Sequence, residues 1–540
     1  MEPTAGPKEF VLCFDGTNNK FHGDSSDSNV LKIFRMLDRT TSNQYHYYQP
    51  GIGTYVTSAS LSHSGITRKI KSAYVKAKDA AIGSTLADHV MGGYKFLMRY
   101  YCPGDQIYFF GFSRGAYVAR FLAEMLDKIG LLEAGNEELI HFVWKTFAKW
   151  QQCSGDTTVD KAQKDKLEEY MRAFKETFCH PVPNLRFLGL FDTVNSVPRF
   201  ERAWMRHNRF PYTARTSAKV IRHAVSIDER RAKFRQDLIS EVKPTGREHR
   251  FRLREHLKKH HVPLPHHTHH QRHNGGLSGS AQQPSPVASS ASSENEKPVN
   301  VQDIEEVWFP GCHTDIGGGW PLRTGEYALS HVPLVWMVHN AQKAGLRFEP
   351  EKLSRYVCSS DSAGDYAEHS QGENYPGNLN NGAAKNKQEG HDGKESPTSD
   401  FECFLQKSST HSRIHDSLRF GKGVPWTTVL SWKVMEYLPF RRMDLQEDGS
   451  WRPIRWPLPC GEVRDIPDDA KIHVSAIHRL KSDPEYRPGN LIMGGGGRGK
   501  KKAPEECGIG DWEMAGYPGC PIKETYVRKP LSKEERHIDH

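Results

Sequence analysis

Apolar residues in this chain come in short runs that stop at polar residues, and most runs are followed by a stretch with helical spacing. Phe10, Val11, Leu12, Cys13 and Phe14 form the first run, within 9–14, and lead straight into Asp15-Gly16-Thr17-Asn18-Asn19. Continuous apolar character over so few residues predicts a buried strand. Ser28-Asn29 stands before VLKIFRML as a helix cap. Residues 45–55 read as a short strand and a Gly-rich loop, and 66–100 as helix in at least two pieces. Gly92-Gly93 within the second piece calls for close packing or a bend. A strand over 106–110 follows a Pro-Gly-Asp turn, and helical spacing begins at Ala116. Helices are expected over 130–150 and 160–178, the second a charged, solvated cover. Strands then end before Asp192, before Asp228-Glu229-Arg230-Arg231, and before His313 and Asp315, with a closing helix at 331–346. Apolar strand, polar residue at its carboxyl edge, then helix is the rhythm of an α/β protein with a mostly parallel sheet flanked by helices.

Two polar tracts interrupt that rhythm. Residues 248–300 hold His260, His261, His266, His267, His269, His270 and His273, followed by a Ser-rich stretch, and 359–400 are rich in Ser, Gly, Asn, Lys and Glu. Both compositions predict disordered insertions. The histidines lack spaced partners on a rigid frame, so no metal site is assigned to them. Aromatic residues return at 401–482, read as a helical and β-rich C-terminal appendage. The tail over 490–540, with the basic Gly-rich segment 493–502, reads as flexible.

Composition narrows the picture only a little. Of 540 residues, 36% are hydrophobic, and the mean hydropathy is −0.69. With the apolar residues clustered before 240 and over 301–350, the core draws on about 300–350 residues. A formal charge of +9 suits an anionic surface or substrate, and equally a neutral soluble protein. No finger, zipper or basic aromatic-interleaved helix points to nucleic acid. The ten cysteines are scattered without a C-x-x-C pair. The start of the chain carries no signal peptide, and no run of 18 apolar residues predicts a transmembrane helix. The expectation is therefore a cytoplasmic protein without cofactor. Oligomeric state has no signature here.

Gly111-Phe-Ser113-Arg-Gly115, between a strand and a helix, has the form of a nucleophile elbow, where glycines permit a sharp turn that lifts the serine off the sheet. A Gly-rich connection with a solvated serine is the plain alternative. A serine hydroxyl needs a base and an acid that orients it. His313 follows a strand late in the chain and precedes Gly317-Gly318-Gly319, as the order serine, acid, histidine requires. His223 lies inside a strand-like run and is less suited. For the acid, Asp192 is favoured by its buried strand end, with Asp228 and Asp315 as alternatives. Asp228 sits in a charged run where a salt bridge explains it. For the oxyanion the candidates are the Arg114 amide and the Gly16-Thr17 loop, with Asp15 holding that loop. Arg114 either pairs with a carboxylate or meets an anionic group.

FDGTNN, GFSRGAYVAR, GLFDTV, HAVSIDERRAKF and VWFPGCHTDIGGGW together resemble the DUF2235 family, which includes the catalytic domain of the Tle1-like type VI secretion phospholipase effectors. The resemblance covers 8–350, interrupted by 248–300, and the C-terminal part resembles fungal members. It implies an α/β-hydrolase fold, Ser113 as elbow serine, His313 as the histidine of H-x-D-x-G-G-G, and hydrolysis of a small-molecule or lipid ester. Peripheral membrane contact goes with a lipid substrate, and 424–440 can supply a lid. Two other classes remain open at this point. One is a metal-dependent phosphoesterase using Asp15, Asp192, His313 and Asp315. The other is a non-catalytic scaffold with the hydrolase fold.

Overall fold

The first apolar run forms β1 (Glu9–Phe14) in a computed structural model of the chain. The structure describes residues 6–17, 19, 21–51, 84–154, 161–183, 185–194, 216–239, 302–359, 400–437, 443–445, 451–453, 460–467, 469–492 and 501–529. After β1 come α1 (Asn29–Met36), β2 (Gln44–Gln49), α2 (Ser84–Tyr100), β3 (Gln106–Phe112), α3 (Arg114–Ile129), β4 (Leu131–Leu132), α4 (Ile140–Ser154), α5 (Lys161–Phe178), β5 (Cys179–His180), β6 (Leu185–Phe191) and β7 (Val220–Ser226). The chain continues with β8 (Asp303–Phe309), α6 (His313–Gly317), α7 (His331–Lys343), α8 (Pro350–Arg355), α9 (Asp400–Thr410) and α10 (Trp426–Tyr437). It ends with β9 (Met443–Leu445), β10 (Trp451–Pro453), β11 (Lys471–His473), α11 (Val474–Ser482), β12 (Trp512–Gly516) and β13 (Thr525–Arg528).

Nine strands make one sheet in the order β12-β13-β11-β8-β7-β6-β3-β1-β2. Every neighbouring pair from β2 to β11 is parallel, and β13 and β12 add an antiparallel edge. Side chains alternate across β1. Phe10, Leu12 and Phe14 pack with Val90, Tyr94, Phe121 and Leu122 of α2 and α3. Val11 and Cys13 pack with Ile33 of α1 and Val335 and Trp336 of α7 on the other face. Both faces are thus covered, which is why the strands read as continuous apolar runs. The result is the α/β architecture that the sequence predicts.

One local expectation narrows and two change. Helix α2 runs unbroken through Gly92-Gly93, where a Cβ would stand 2.6 Å from Tyr47 Oη at Gly92 and 2.8 Å from Leu122 and Phe14 at Gly93. Close packing, and not a bend, is what those glycines serve. The helix expected over 130–150 starts only at Ile140. Gly130 and Gly135 take positive φ (84° and 95°), and Leu131–Leu132 pair instead with Cys179–His180. The main sheet also does not stop near residue 350. β11 lies in the stretch expected as an appendage, and β12 and β13 lie in the stretch expected as a flexible tail; all three extend the sheet beyond β8. Residues 66–83, the insertion 248–300, 360–399 and 493–500 lie outside the described residues. A second compact unit, 242–301 with 443–453, has as its described part the antiparallel ribbon β9–β10.

Candidate active site

Polar residues collect at the carboxyl ends of the parallel strands, the edge where open α/β sheets place their sites. Ser113 follows β3 and takes φ 59° and ψ −122°, a conformation that an L residue adopts at a cost of about 1–3 kcal/mol. The surroundings hold it there. Its amide donates to Phe191 O at 3.0 Å. A Cβ on Gly111 would lie 2.4 Å from Ala116 Cα, and one on Gly115 would lie 2.2 Å from Phe14 O and 2.6 Å from Asp15 O. Both flanking glycines are therefore demanded by backbone contact, and Gly115 brings the start of α3 against the end of β1.

His313 reaches the same edge from β8. Gly311 turns the chain with φ 111°, Cys312 caps α6, and His313 is its first residue. The Ser113 Oγ and His313 Nε2 lie 2.8 Å apart, and His313 Nδ1 and Asp192 Oδ2 lie 2.5 Å apart. Phe112 and Phe234 flank the imidazole, with ring centroids at 4.8 and 4.7 Å. Asp192 directly follows β6 with φ 42°, and its Oδ1 also accepts from Ser226 N at 2.9 Å. All three side chains are buried. The network assigns the Nδ1–H tautomer, which leaves Nε2 to accept the serine proton.

Arg464 completes the surroundings of Asp192, and sequence reasoning missed it. Its Nη1 donates to Asp192 Oδ1 at 2.6 Å and its Nη2 to Oδ2 at 2.9 Å. Burial pushes the Asp192 carboxyl up, but Arg464 and His313 outweigh it and hold the group well below the usual carboxylate range. Burial is also the largest influence on His313 and lowers its pKa against the pull of Asp192, so the imidazole is neutral near pH 7. Glu229 and Arg231 form a further buried pair, with contacts of 2.9 and 2.8 Å. Glu229 Oε2 accepts from the His313 amide at 3.2 Å. Burial raises the Glu229 pKa, but Arg231 overcomes it and brings the carboxyl to about 2. The Arg231 guanidinium lies between the rings of Phe234 (3.7 Å) and Trp432 of α10 (4.7 Å). Charged residues flanking buried apolar positions, such as Arg464 between Val463 and Ile466, are the one sequence signal that points to these groups.

The other weighed residues sit elsewhere in the network. Asp228 accepts from Gly311 N at 2.6 Å and Tyr486 Oη at 3.0 Å. Asp315 caps Cys312 N at 2.9 Å and faces His415 Nδ1 at 2.7 Å. His223 is a strand residue between Glu306 and the Thr193 amide. Asp15 accepts from Gly16 N, Asn19, Ser28 and Tyr48 at 2.6–2.8 Å, so it holds the loop after β1. That bond occupies the Gly16 amide. The Thr17 amide and hydroxyl, like the Arg114 amide, have no hydrogen-bond partner among the described residues, and the Thr17 hydroxyl is buried. Asp15, Asp192, His313 and Asp315 are not gathered as a ligand set. Each faces the protein donors just named, and among the described residues no group of three His, Cys, Asp or Glu is arranged to hold a metal.

A hydroxyl bonded to a neutral imidazole, itself bonded to an ionised buried carboxylate, can pass its proton to the ring while attacking a carbonyl carbon. The family model for the type VI secretion system phospholipase effector Tle1-like catalytic domain matches residues 8–340. The Saccharomyces cerevisiae uncharacterized protein YEL023C is 28% identical over 565 residues, covering 90% of this chain and 80% of its own. Among solved structures, an uncharacterized protein from Pseudomonas aeruginosa matches 65% of this chain and 49% of its own at 16% identity and TM-score 0.30. The Tle1 effector bound to the VgrG spike of the type VI secretion system matches 61% of this chain and 53% of its own at 17% identity and TM-score 0.24. The chain spans about half the length of these two structures.

Proposed function

Since the chain belongs to the family of Tle1-like type VI secretion phospholipase effector catalytic domains, we propose that it is a serine hydrolase that cleaves carboxyl esters, of phospholipase or lipase type. The observation that carries this reading is the continuous hydrogen-bonded chain from Ser113 through His313 to Asp192. Ser113 Oγ bonds to the ester carbonyl carbon as its proton passes to His313 Nε2. The oxyanion is received by the Arg114 and Thr17 amides. Collapse breaks the bond to the leaving alcohol, which takes the proton from His313. Water then gives its proton to His313, attacks the acyl-serine, releases the acid and returns Ser113 to its starting state. Asp192 keeps the imidazole oriented, and Arg464 keeps Asp192 ionised.

A lipid substrate agrees with α10. Its inner side reaches the site through Trp432, whose ring lies 5.3 Å from that of Phe234. Its outer side exposes Trp426, Leu430, Val434 and Tyr437, a stripe suited to peripheral contact with a lipid surface. Among the described residues no helix is long and apolar enough to cross a membrane. The yeast relative's coverage of 90% of the chain supports a fungal-type member of the family.

The test is hydrolysis of a short-chain p-nitrophenyl ester by the full chain. Ser113→Ala and His313→Ala are expected to lose roughly 10³-fold or more in kcat. A chelator is expected to leave the wild-type rate unchanged. Chelator-sensitive hydrolysis that survives Ser113→Ala would contradict this reading, and the same behaviour on p-nitrophenyl phosphate would favour a metal-dependent phosphoesterase.

A further inference from the structure

Arg114 immediately follows Ser113 and opens α3. It is partly buried, yet its guanidinium has neither an ion pair nor a hydrogen bond among the described residues. That sets it apart from the other buried arginines around the site. Arg464 faces Asp192, Arg231 faces Glu229, and Arg120 faces Asp237. An arginine cannot shed its proton to escape burial, so an unneutralised guanidinium is costly unless an anion completes it. Burial lowers the Arg114 pKa to about 10, with no carboxylate opposing it. The neighbour that feels the charge is His89 of α2. Burial first and then Arg114 push that imidazole to about 4, so it is neutral near pH 7 and brings no negative charge.

A second observation lies across the elbow. The Thr17 hydroxyl is buried and unpartnered among the described residues. Its loop is held against the elbow by the contact of Gly115 with Phe14 O and Asp15 O, and by that of Gly16 with the Phe112 ring. A cation without a counterion therefore follows the serine directly in the chain, and a hydroxyl without a partner lies in the loop packed against the elbow. The sequence left two readings of Arg114, a protein carboxylate or an anionic group. Among the described residues no carboxylate takes the first role.

We propose that Arg114 is a specificity-determining residue that receives a phosphate group carried by the ester substrate, beside the scissile carbonyl. This rests on the serine-hydrolase reading above and narrows it to phosphate-bearing esters. A guanidinium suits that group because its planar array of N–H donors matches phosphate oxygens in pairs. The phosphate belongs either to a lipid or to a small soluble ester.

The experiment compares dibutyryl phosphatidic acid with tributyrin, an uncharged ester of the same acyl length. Arg114→Gln, which keeps the backbone amide, is expected to lower kcat/KM on the phosphate ester about 10- to 100-fold more than on tributyrin, the size expected of a charge-assisted contact. Arg114→Lys should restore part of the loss. An equal loss on both esters, or no loss on either, overturns the proposal. Faster turnover of phosphatidylglycerol vesicles than of the monomeric ester assigns the phosphate to a lipid, and the reverse assigns it to a soluble ester. Both assignments support the role of Arg114 provided Arg114→Gln abolishes the preference. A binding arm separates this proposal from the hydrolase reading. Inorganic phosphate should raise the Tm of the Ser113→Ala protein and fail to raise that of the Ser113→Ala, Arg114→Gln double variant. If wild-type protein cleaves neither ester, that shift still supports an anion site, and its absence overturns one.

Discussion

Arg464 and Asp192 stand 272 positions apart in sequence and meet through two contacts, Nη1 to Oδ1 at 2.6 Å and Nη2 to Oδ2 at 2.9 Å. The guanidinium is spent entirely within the protein, since it also donates to the carbonyls of Ser226 and Phe234. Arg464→Gln would leave a buried carboxylate without its counter-charge. A loss of about 3–5 kcal/mol in unfolding free energy is expected from urea titration. The folded Asp192 pKa is depressed, so its contribution is full above the unfolded value of about 3.9 and is lost as pH falls through the folded value. The gap between wild type and variant should therefore close in acid. A gap that persists unchanged there would contradict the pairing.

As the proposed base, His313 should give the pH profile its acid limb. Burial keeps its folded pKa below the ordinary value of about 6.5. The neutral base therefore persists below that pH, and kcat/KM should fall with a midpoint under about 6.5. The unfolded chain binds a proton in the window between the folded pKa and about 6.5 while the folded chain does not, so stability rises with pH across that window. Asp192→Asn removes the carboxylate that fixes the tautomer and should lower kcat by roughly 10⁴-fold. A midpoint above 7, or a mild effect of Asp192→Asn, would speak against the assignment.

Asp228 serves as the contrast. Burial raises its pKa to about 6. Between the unfolded value of about 3.9 and 6 the folded chain binds more protons, so this group takes away stability as pH rises. Asp228→Asn keeps an acceptor for the Gly311 amide and Tyr486. It should leave kcat within about threefold and gain stability relative to wild type above pH 6, as read by thermal unfolding. A loss of activity as large as that of Asp192→Asn would make Asp228 the acid.

How much of this was legible in the sequence follows from where each residue lies. Ser113 and Asp192 directly follow an apolar strand and His313 comes shortly after one, so periodicity and position single them out before any coordinates. Arg464 lies in a Pro-rich loop with no periodic pattern, and its partner is fixed only when 460–467 packs beside β7. Glu229 and Arg231 read only as part of a charged run, because sequence spacing does not tell a buried pair from a solvated one. β11 is three residues long and follows a turn, too short for an alternation signal, which is why the sheet looks finished at β8 when read from sequence.

Gly317 tests the packing of the loop that carries His313. A Cβ there would stand 2.1–2.3 Å from the Phe112 ring, whose other edge meets the Gly16 loop. Gly317→Ala should cost about 1–3 kcal/mol through overpacking and lower kcat more than KM, since Phe112 also contacts the imidazole. Stability and kinetics unchanged from wild type would show that the loop relaxes freely.

The most direct test of the account is covalent labelling of the full-length chain with a fluorophosphonate, followed by peptide mass spectrometry. One adduct is expected, on Ser113, absent in Ser113→Ala and formed far more slowly in His313→Ala. A folded protein that hydrolyses esters yet stays unlabelled at Ser113 would contradict it.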